Sequence, residues 1–192
     1  MKLRTRGISG TRNQAESERE RAHRVIARKA AAEGIVLLEN NGVLPLKKGS
    51  NVALYGGGAR HTIKGGTGSG SVNNRSNVSI DEGLRNAGFT VTTDAWLDAY
   101  DAAYEQSYAE WKAYIYEISE PGNFDSLYRA HASHPMQMPK GSAITKTDAA
   151  DAIYVISRVS GEGADRKAEP GDYYLSEQEE EELKAITECY DN

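Results

Sequence analysis

The sequence predicts an α/β fold, a three-layer α/β/α sandwich with a mostly parallel sheet, and three observations carry that expectation. Asn51-Val52-Ala53-Leu54-Tyr55, Phe89-Thr90-Val91-Thr92 and Ala152-Ile153-Tyr154-Val155-Ile156 are short apolar runs of strand length. Stretches of helical periodicity alternate with them, which implies crossover connections and helices on the sheet faces. The first and third runs open directly into glycine-bearing loops, as parallel strands do at the ligand-binding end of an open sheet. The last helical stretch is followed by no further apolar run, so the sheet is expected to be incomplete within these residues or finished by another segment.

Residues 1–15 are polar, with Gly7, Ser9, Gly10 and Asn13, and are expected to form a poorly ordered arm ahead of a partial domain at 16–192. From Glu16 to Glu39 the sequence is helix-prone, with Val25, Ile26, Ala30, Val36 and Leu37 at mixed spacings and Asn40-Asn41-Gly42 as a stop. Leu44-Pro45-Leu46 is an extended packing segment. After the first strand, Ser79 and Glu82 form the Ser-x-x-Glu pattern that opens a short helix ended by Gly88. Asp94 to Ser119 is a long amphipathic helix carrying Trp96, Tyr100, Tyr104, Tyr108, Trp111, Ile115 and Ile118, and Pro121-Gly122 breaks it. Asn123 to Lys146, with Pro135 and Pro139, is expected to be irregular with at most one short strand. The polar loop from Ser157 to Tyr174 follows the third strand. Ser176 and Glu179 repeat the capping pattern and open a helix whose early glutamates complement its dipole, with Leu183 and Ile186 on the buried face.

The chain has 192 residues, 23 basic and 28 acidic, for a formal charge of -5 and a hydrophobic fraction of 39%. That length fits one α/β domain, or one domain and an arm. The balance of charge gives no footprint for nucleic acid. The basic residues between Arg19 and Lys29 are offset by Glu16, Glu18, Glu20 and Glu33 and form a solvated helix face. Cys189 is the single cysteine, so no internal disulfide and no multi-cysteine metal site can form, and His23, His61, His131 and His134 have no zinc spacing. No stretch approaches the roughly 20 apolar residues of a membrane span, and no apolar signal core follows Met1. A cytoplasmic location, no metal and no organic cofactor are the expectations.

The segment most able to carry chemistry is Ser160-Gly161-Glu162-Gly163-Ala164-Asp165-Arg166-Lys167, which leaves the carboxyl end of the third strand. Glycines on both sides of Glu162 free the backbone to project a carboxyl group, and Asp165, Arg166 and Lys167 supply charges that could orient it. A general acid must stay protonated near neutral pH, so its free value of about 4.3 has to rise. The competing reading is a solvated polar loop.

Tyr154 to Lys167, continuing to Gly171-Asp172-Tyr173-Tyr174-Leu175-Ser176, resembles the acid/base segment of family 3 glycoside hydrolases of the β-glucosidase type. Two further segments resemble the same family: Ala32 to Asn40 with Leu44-Pro45-Leu46, and Lys64-Gly65-Gly66-Thr67-Gly68-Ser69-Gly70, similar to a glycine-rich active-site loop. The resemblance implies a C-terminal-type sandwich domain in which Glu162 donates the proton, while Lys64, Gly65, Gly66, Ser69, Asp165 and Arg166 lie near the sugar. It implies retaining hydrolysis of a terminal non-reducing β-linked sugar, a β-linked glucoside or related oligosaccharide. It also implies a nucleophilic aspartate on a separate (β/α)₈ barrel domain of the parent protein. Thr93-Asp94-Ala95-Trp96 carries one residue too many for the family's Ser-Asp-Trp-like nucleophile motif and opens a helix, so this chain alone is expected to be inactive. Relatives that place the sandwich first and the barrel last are the expected precedent for the parent.

Two other functional classes compete. A sandwich of this kind could be a non-catalytic module for carbohydrate binding or assembly. Gly56-Gly57-Gly58-Ala59-Arg60-His61 follows a strand as a dinucleotide fingerprint does, but His61 stands where a third glycine or alanine is needed, and neither glycine-rich segment has a P-loop ending. The Tyr100, Tyr104, Tyr108 and Trp111 stripe is expected to pack in the core or a domain interface, and Arg158 is expected to be structural.

Overall fold

The computed structural model describes residues 15–65, 70, 72, 74–159 and 166–192. Residues 1–44 and 45–192 form two compact units. Apart from Ala15, the expected N-terminal arm lies outside the described residues.

The first unit contains α1, Glu18–Gly34, started by a complete capping box in which Ser17 Oγ accepts from the Glu20 amide at 3.2 Å and Glu20 accepts from the Ser17 amide at 2.7 Å. The helix ends at Gly34 rather than reaching Glu39, and it buries no residue. Val25 and Ile26 are exposed.

In the second unit the elements run β1 Asn51–Tyr55, α2 Ile80–Asn86, β2 Thr90–Val91, α3 Asp94–Glu117, α4 Phe124–Ser133, β3 Asp151–Tyr154 and α5 Glu177–Cys189. The sheet is parallel in the order β2-β1-β3, with Val52 opposite Val91 and Asp151, and Tyr55 opposite Tyr154. The predicted class is therefore the observed one. β1 is central, which is why Val52, Ala53, Leu54 and Tyr55 are buried and why that stretch is apolar without alternation.

β3 corrects an expectation. The apolar run expected to form this strand extends to Ile156, but the four residues of β3 are only half-buried and pairing stops after Val155, whose amide donates to Tyr55 O at 2.9 Å. On the edge away from β1, the Ala152 amide donates to Asn192 O at 2.8 Å. A second correction is α4, a helix of ten residues where irregular chain was expected. Asn123 caps it by accepting from the Ser126 amide at 3.2 Å, so it starts immediately after the Pro121-Gly122 break.

The core closes around β1. Trp96 meets Tyr55 edge-on with ring centres 5.2 Å apart and stacks on Tyr100 at 5.2 Å. Ile186 and Tyr190 cover β1 from α5 and the residue after it, and the hydroxyls of Tyr55 and Tyr190 bond at 2.9 Å. The aromatic stripe of α3 divides: Trp96 and Tyr100 are core, Tyr104 is half-buried, Tyr108 is exposed, and half-buried Trp111 packs edge-on against His131 of α4. Thr93 extends the short β2 with its side chain, accepting from the Leu54 amide at 2.9 Å and donating to Leu54 O at 2.7 Å.

Candidate functional site

The site is set by which strand ends lie side by side. β1 and β3 are parallel neighbours, so the segment leaving Tyr55 towards Lys64-Gly65 and the segment leaving Tyr154 towards Arg166 start from the same edge of the sheet. Close packing holds the two strand exits together. Gly56 has φ +89°, and a side chain there would meet Val155 O at 2.5 Å, while a side chain at Gly57 would meet the Tyr100 hydroxyl at 2.6 Å. The Gly58 amide donates to Val155 O at 3.2 Å. This glycine run is thus used for strand-to-strand approach, and its amide points at protein, which removes the main support for a dinucleotide-binding turn.

After the glycines, Arg60 ties the β1 exit to α2 and α3. Its guanidinium bonds Asp81 at 2.8 Å, Asp98 at 2.6 Å, Asp101 at 2.9 Å and Asp94 at 3.1 Å. Burial opposes its charge, yet the bonds to Asp98, Asp101 and Asp81 hold its proton above the ordinary arginine value. His61 bonds Asp101 at 2.9 Å and stacks on Tyr104 at 3.8 Å. The chain then reaches Lys64 and Gly65, both exposed. A side chain at Gly65 would meet Gly70 O at 2.5 Å, so the two ends of that glycine-rich segment lie against each other. Gly66 and Ser69 lie outside the described residues, as do Glu162 and Asp165.

At the β3 exit, Arg158 forms a two-pronged pair with Glu179 at 2.6 and 2.5 Å and donates from Nε to Asp172 O at 2.8 Å. Burial pushes the Glu179 carboxyl up, but Arg158 and the Ser176 amide outweigh it and hold it below the usual carboxylate range. Beyond the undescribed residues, Arg166 donates to Asp172 Oδ1 at 2.5 Å and the Lys167 amide to Oδ2 at 2.7 Å. The Arg166 bond, then the Lys167 bond, lowers the Asp172 proton affinity. Arg158 is structural, as expected. Arg166 is engaged with Asp172, an acid that the sequence reading quoted within a motif but gave no role. Glu179 was seen only as a helix start, and Arg60 only as part of a failed nucleotide pattern; both had opposite charges in reach only after folding. Among the described residues no group of His, Cys, Asp and Glu is placed to hold a metal ion, and no helix is long and apolar enough to cross a membrane.

Residues 35–192 match the model of the glycosyl hydrolase family 3 C-terminal domain. The chain belongs to glycosyl hydrolase family 3. It is 30% identical over 191 residues to beta-glucosidase A of Butyrivibrio fibrisolvens, a match covering 88% of this chain and 21% of that protein. It is 32% identical over 163 residues to a beta-glucosidase of Ruminococcus albus, covering 83% of this chain and 16% of that one. Among solved structures it is similar to beta-glucosidase 3B of Thermotoga neapolitana in complex with alpha-D-glucose, with a TM-score of 0.62 at 30% identity over 92% of this chain and 23% of that one. A beta-glucosidase structure from Paenibacillus barengoltzii gives a TM-score of 0.61 at 26% identity, covering 93% of this chain and 18% of that one. This family 3 chain thus spans about a fifth of the length of these relatives.

Proposed function

We propose that this family 3 domain supplies the general acid/base of a retaining β-glycosidase, with Glu162 as the proton donor to the glycosidic oxygen. The substrate is a terminal, non-reducing β-linked sugar, glucose by default. The observation that carries the reading is the placement of two strand exits together: the segment bearing Lys64-Gly65 and the segment bearing Glu162 leave adjacent parallel strands at one sheet edge. Names of the relatives support the substrate class, since those proteins are beta-glucosidases.

Retaining hydrolysis uses two carboxyl groups about 5–5.5 Å apart, one nucleophile and one acid/base. The nucleophile in this reading is an aspartate on a barrel domain of a longer polypeptide, and the sugar binds between that barrel and this sheet edge. Glu162 first protonates the leaving oxygen, then, as a carboxylate, takes a proton from the water that hydrolyses the glycosyl intermediate. Lys64, Gly65, Gly66 and Ser69 line the sugar from the glycine-rich segment, and Asp165 and Arg166 hold the acid-bearing loop.

The test is a leaving-group comparison on the complete polypeptide. Glu162→Ala lowers kcat/KM on alkyl glucosides and oligosaccharides by about 10²–10⁴-fold, the usual worth of general acid catalysis, and lowers it far less on an activated aryl glucoside that needs no proton. Equal losses on both substrates would overturn the acid role, and no loss on either would favour a non-catalytic module.

A further inference from the structure

The end of α3 and the whole of α4 form a helical hairpin about the Pro121-Gly122 break, and an open cleft of about 430 Å³ lies between them. Its volume falls within the range of small-molecule sites. Tyr114, Ile118 and buried Ala130 give it an apolar part, while Ser126, Arg129, Ser133 and His134 supply polar groups. The ring of His134 is held from two sides. It meets Tyr114 edge-on with ring centres 5.6 Å apart, and its Nδ1 donates to Ala130 O at 3.1 Å. The Trp111 indole fixes the same residue through its backbone, donating to His134 O at 2.6 Å. A carbonyl only accepts, so the bond to Ala130 puts the proton on Nδ1 and leaves Nε2 as an acceptor in the neutral ring.

The protein itself uses these polar groups only in part. Arg129 commits Nε to Asp125 at 2.9 Å, and Ser126 Oγ accepts from the Glu120 amide at 3.0 Å with its own hydrogen still to donate. Among the described residues, none bonds the terminal guanidinium nitrogens of Arg129, the Tyr114 hydroxyl, Ser133 Oγ or His134 Nε2. Donors and acceptors therefore stand together beside an aromatic ring, and Asp125 offsets the single cation. An anion would find that cation already paired, whereas a neutral ligand that carries many hydroxyls and one apolar face can use every group present.

We propose that the cleft between α3 and α4 is a sugar-binding site, in which a neutral pyranose packs on Tyr114 and exchanges hydrogen bonds with Arg129, Ser126, Ser133 and His134. α3 starts directly after β2, and Tyr114 lies about 30 Å further along it by helical rise, so the inference does not depend on the reading of Glu162. Binding is weak, with Kd on the order of 10 mM, because Tyr114 and Ile118 remain 45% and 41% exposed and so open a cleft desolvates little of its ligand.

Cellobiose, a β-linked glucose disaccharide, is the probe, titrated into the complete nitrogen-15-labelled chain and followed by two-dimensional NMR. Saturable shifts are expected for the Trp111 indole N–H and for the amides of residues 126–134, with the buried Trp96 indole unmoved as the reference for the core. Tyr114→Ala removes the packing face and should weaken binding by about 10-fold or more, and Ser133→Ala, an exposed change that leaves the fold alone, by about 3-fold. Weakening in either variant with an undisturbed Trp96 signal supports the site, and unchanged affinity in both overturns it. Saturation by inorganic phosphate but not by cellobiose would make this an anion site and overturn the sugar reading. Failure to saturate with cellobiose up to about 100 mM, or shifts confined to residues outside α3 and α4, overturns it as well.

Discussion

Thr93 satisfies both backbone groups of Leu54 with one hydroxyl, accepting from its amide at 2.9 Å and donating to its carbonyl at 2.7 Å. β2 pairs through only two residues, so without this side chain the central strand would lose a rung of its ladder in the middle of the core. Thr93 is 4% exposed and Leu54 fully buried, so no solvent replaces the lost bonds. Thr93→Val is expected to destabilise the domain by about 1–3 kcal/mol through the stranded Leu54 groups, and Thr93→Ser by less. Urea unfolding followed by tryptophan fluorescence measures the difference.

Gly56 and Gly49 both have positive φ, +89° and +78°, but only Gly56 faces the backbone of Val155. Gly49→Ala should therefore cost roughly 1 kcal/mol of conformational strain, while Gly56→Ala should cost at least about 2 kcal/mol because the β1 and β3 exits must separate. Comparing the two midpoints in urea isolates the close approach from the dihedral.

Acid should release the Arg158 pair. The folded value of Glu179 lies below the ordinary carboxylate value. A depressed folded value gives stability that is fully present above the unfolded value of about 4.3 and is lost as pH falls through the folded one. Unfolding free energy is expected to fall between pH 5 and pH 3, in part through this group. Arg158→Met should make that fall shallower, as equilibrium unfolding across the same range reveals.

Tyr154 donates to buried Glu182 at 2.7 Å, and burial, followed by this bond and the Glu182 charge, pushes the phenol well above its ordinary value. Tyr55 and Tyr100 are pushed up as well, burial being the first cause in each. At about pH 11 the native chain should show less tyrosinate absorbance than the same chain in guanidinium, given an ordinary value near 10. Tyr154→Phe should lower the denatured amplitude and leave the native one unchanged. It should also cost about 1–3 kcal/mol of stability, because Glu182 keeps its bonds to the Gly141 amide and Gln178 but loses the phenol.

The sheet was readable in the sequence because β1 is paired on both sides and covered on both faces, so its apolar run has no competing interpretation. The end of β3 was not, since Val155 and Ile156 are as apolar as the paired residues before them and only the geometry of the exit stops the ladder. α4 escaped because Pro121, Pro135 and Pro139 dominate the composition around it; the cap at Asn123, Asp125 in the first turn and the Leu127–Ala130 spacing were the signals present. In the candidate site, the motif around Glu162 was legible as a family resemblance. The roles of Asp172 and Glu179 were not, because each depends on an arginine brought to it by the turn between β3 and α5.

The bond between the Tyr55 and Tyr190 hydroxyls joins residues 135 positions apart. On a ribosome adding about 5–20 residues per second, roughly 7–27 s separate the synthesis of these two tyrosines, besides the delay in the exit tunnel. Throughout that interval the most apolar strand of the molecule lacks the covering that Ile186 and Tyr190 provide. The nascent chain therefore presents an uncovered apolar strand for longer than a fold of local contacts would, and holdase chaperones that bind such segments during translation should affect its yield more than its final stability.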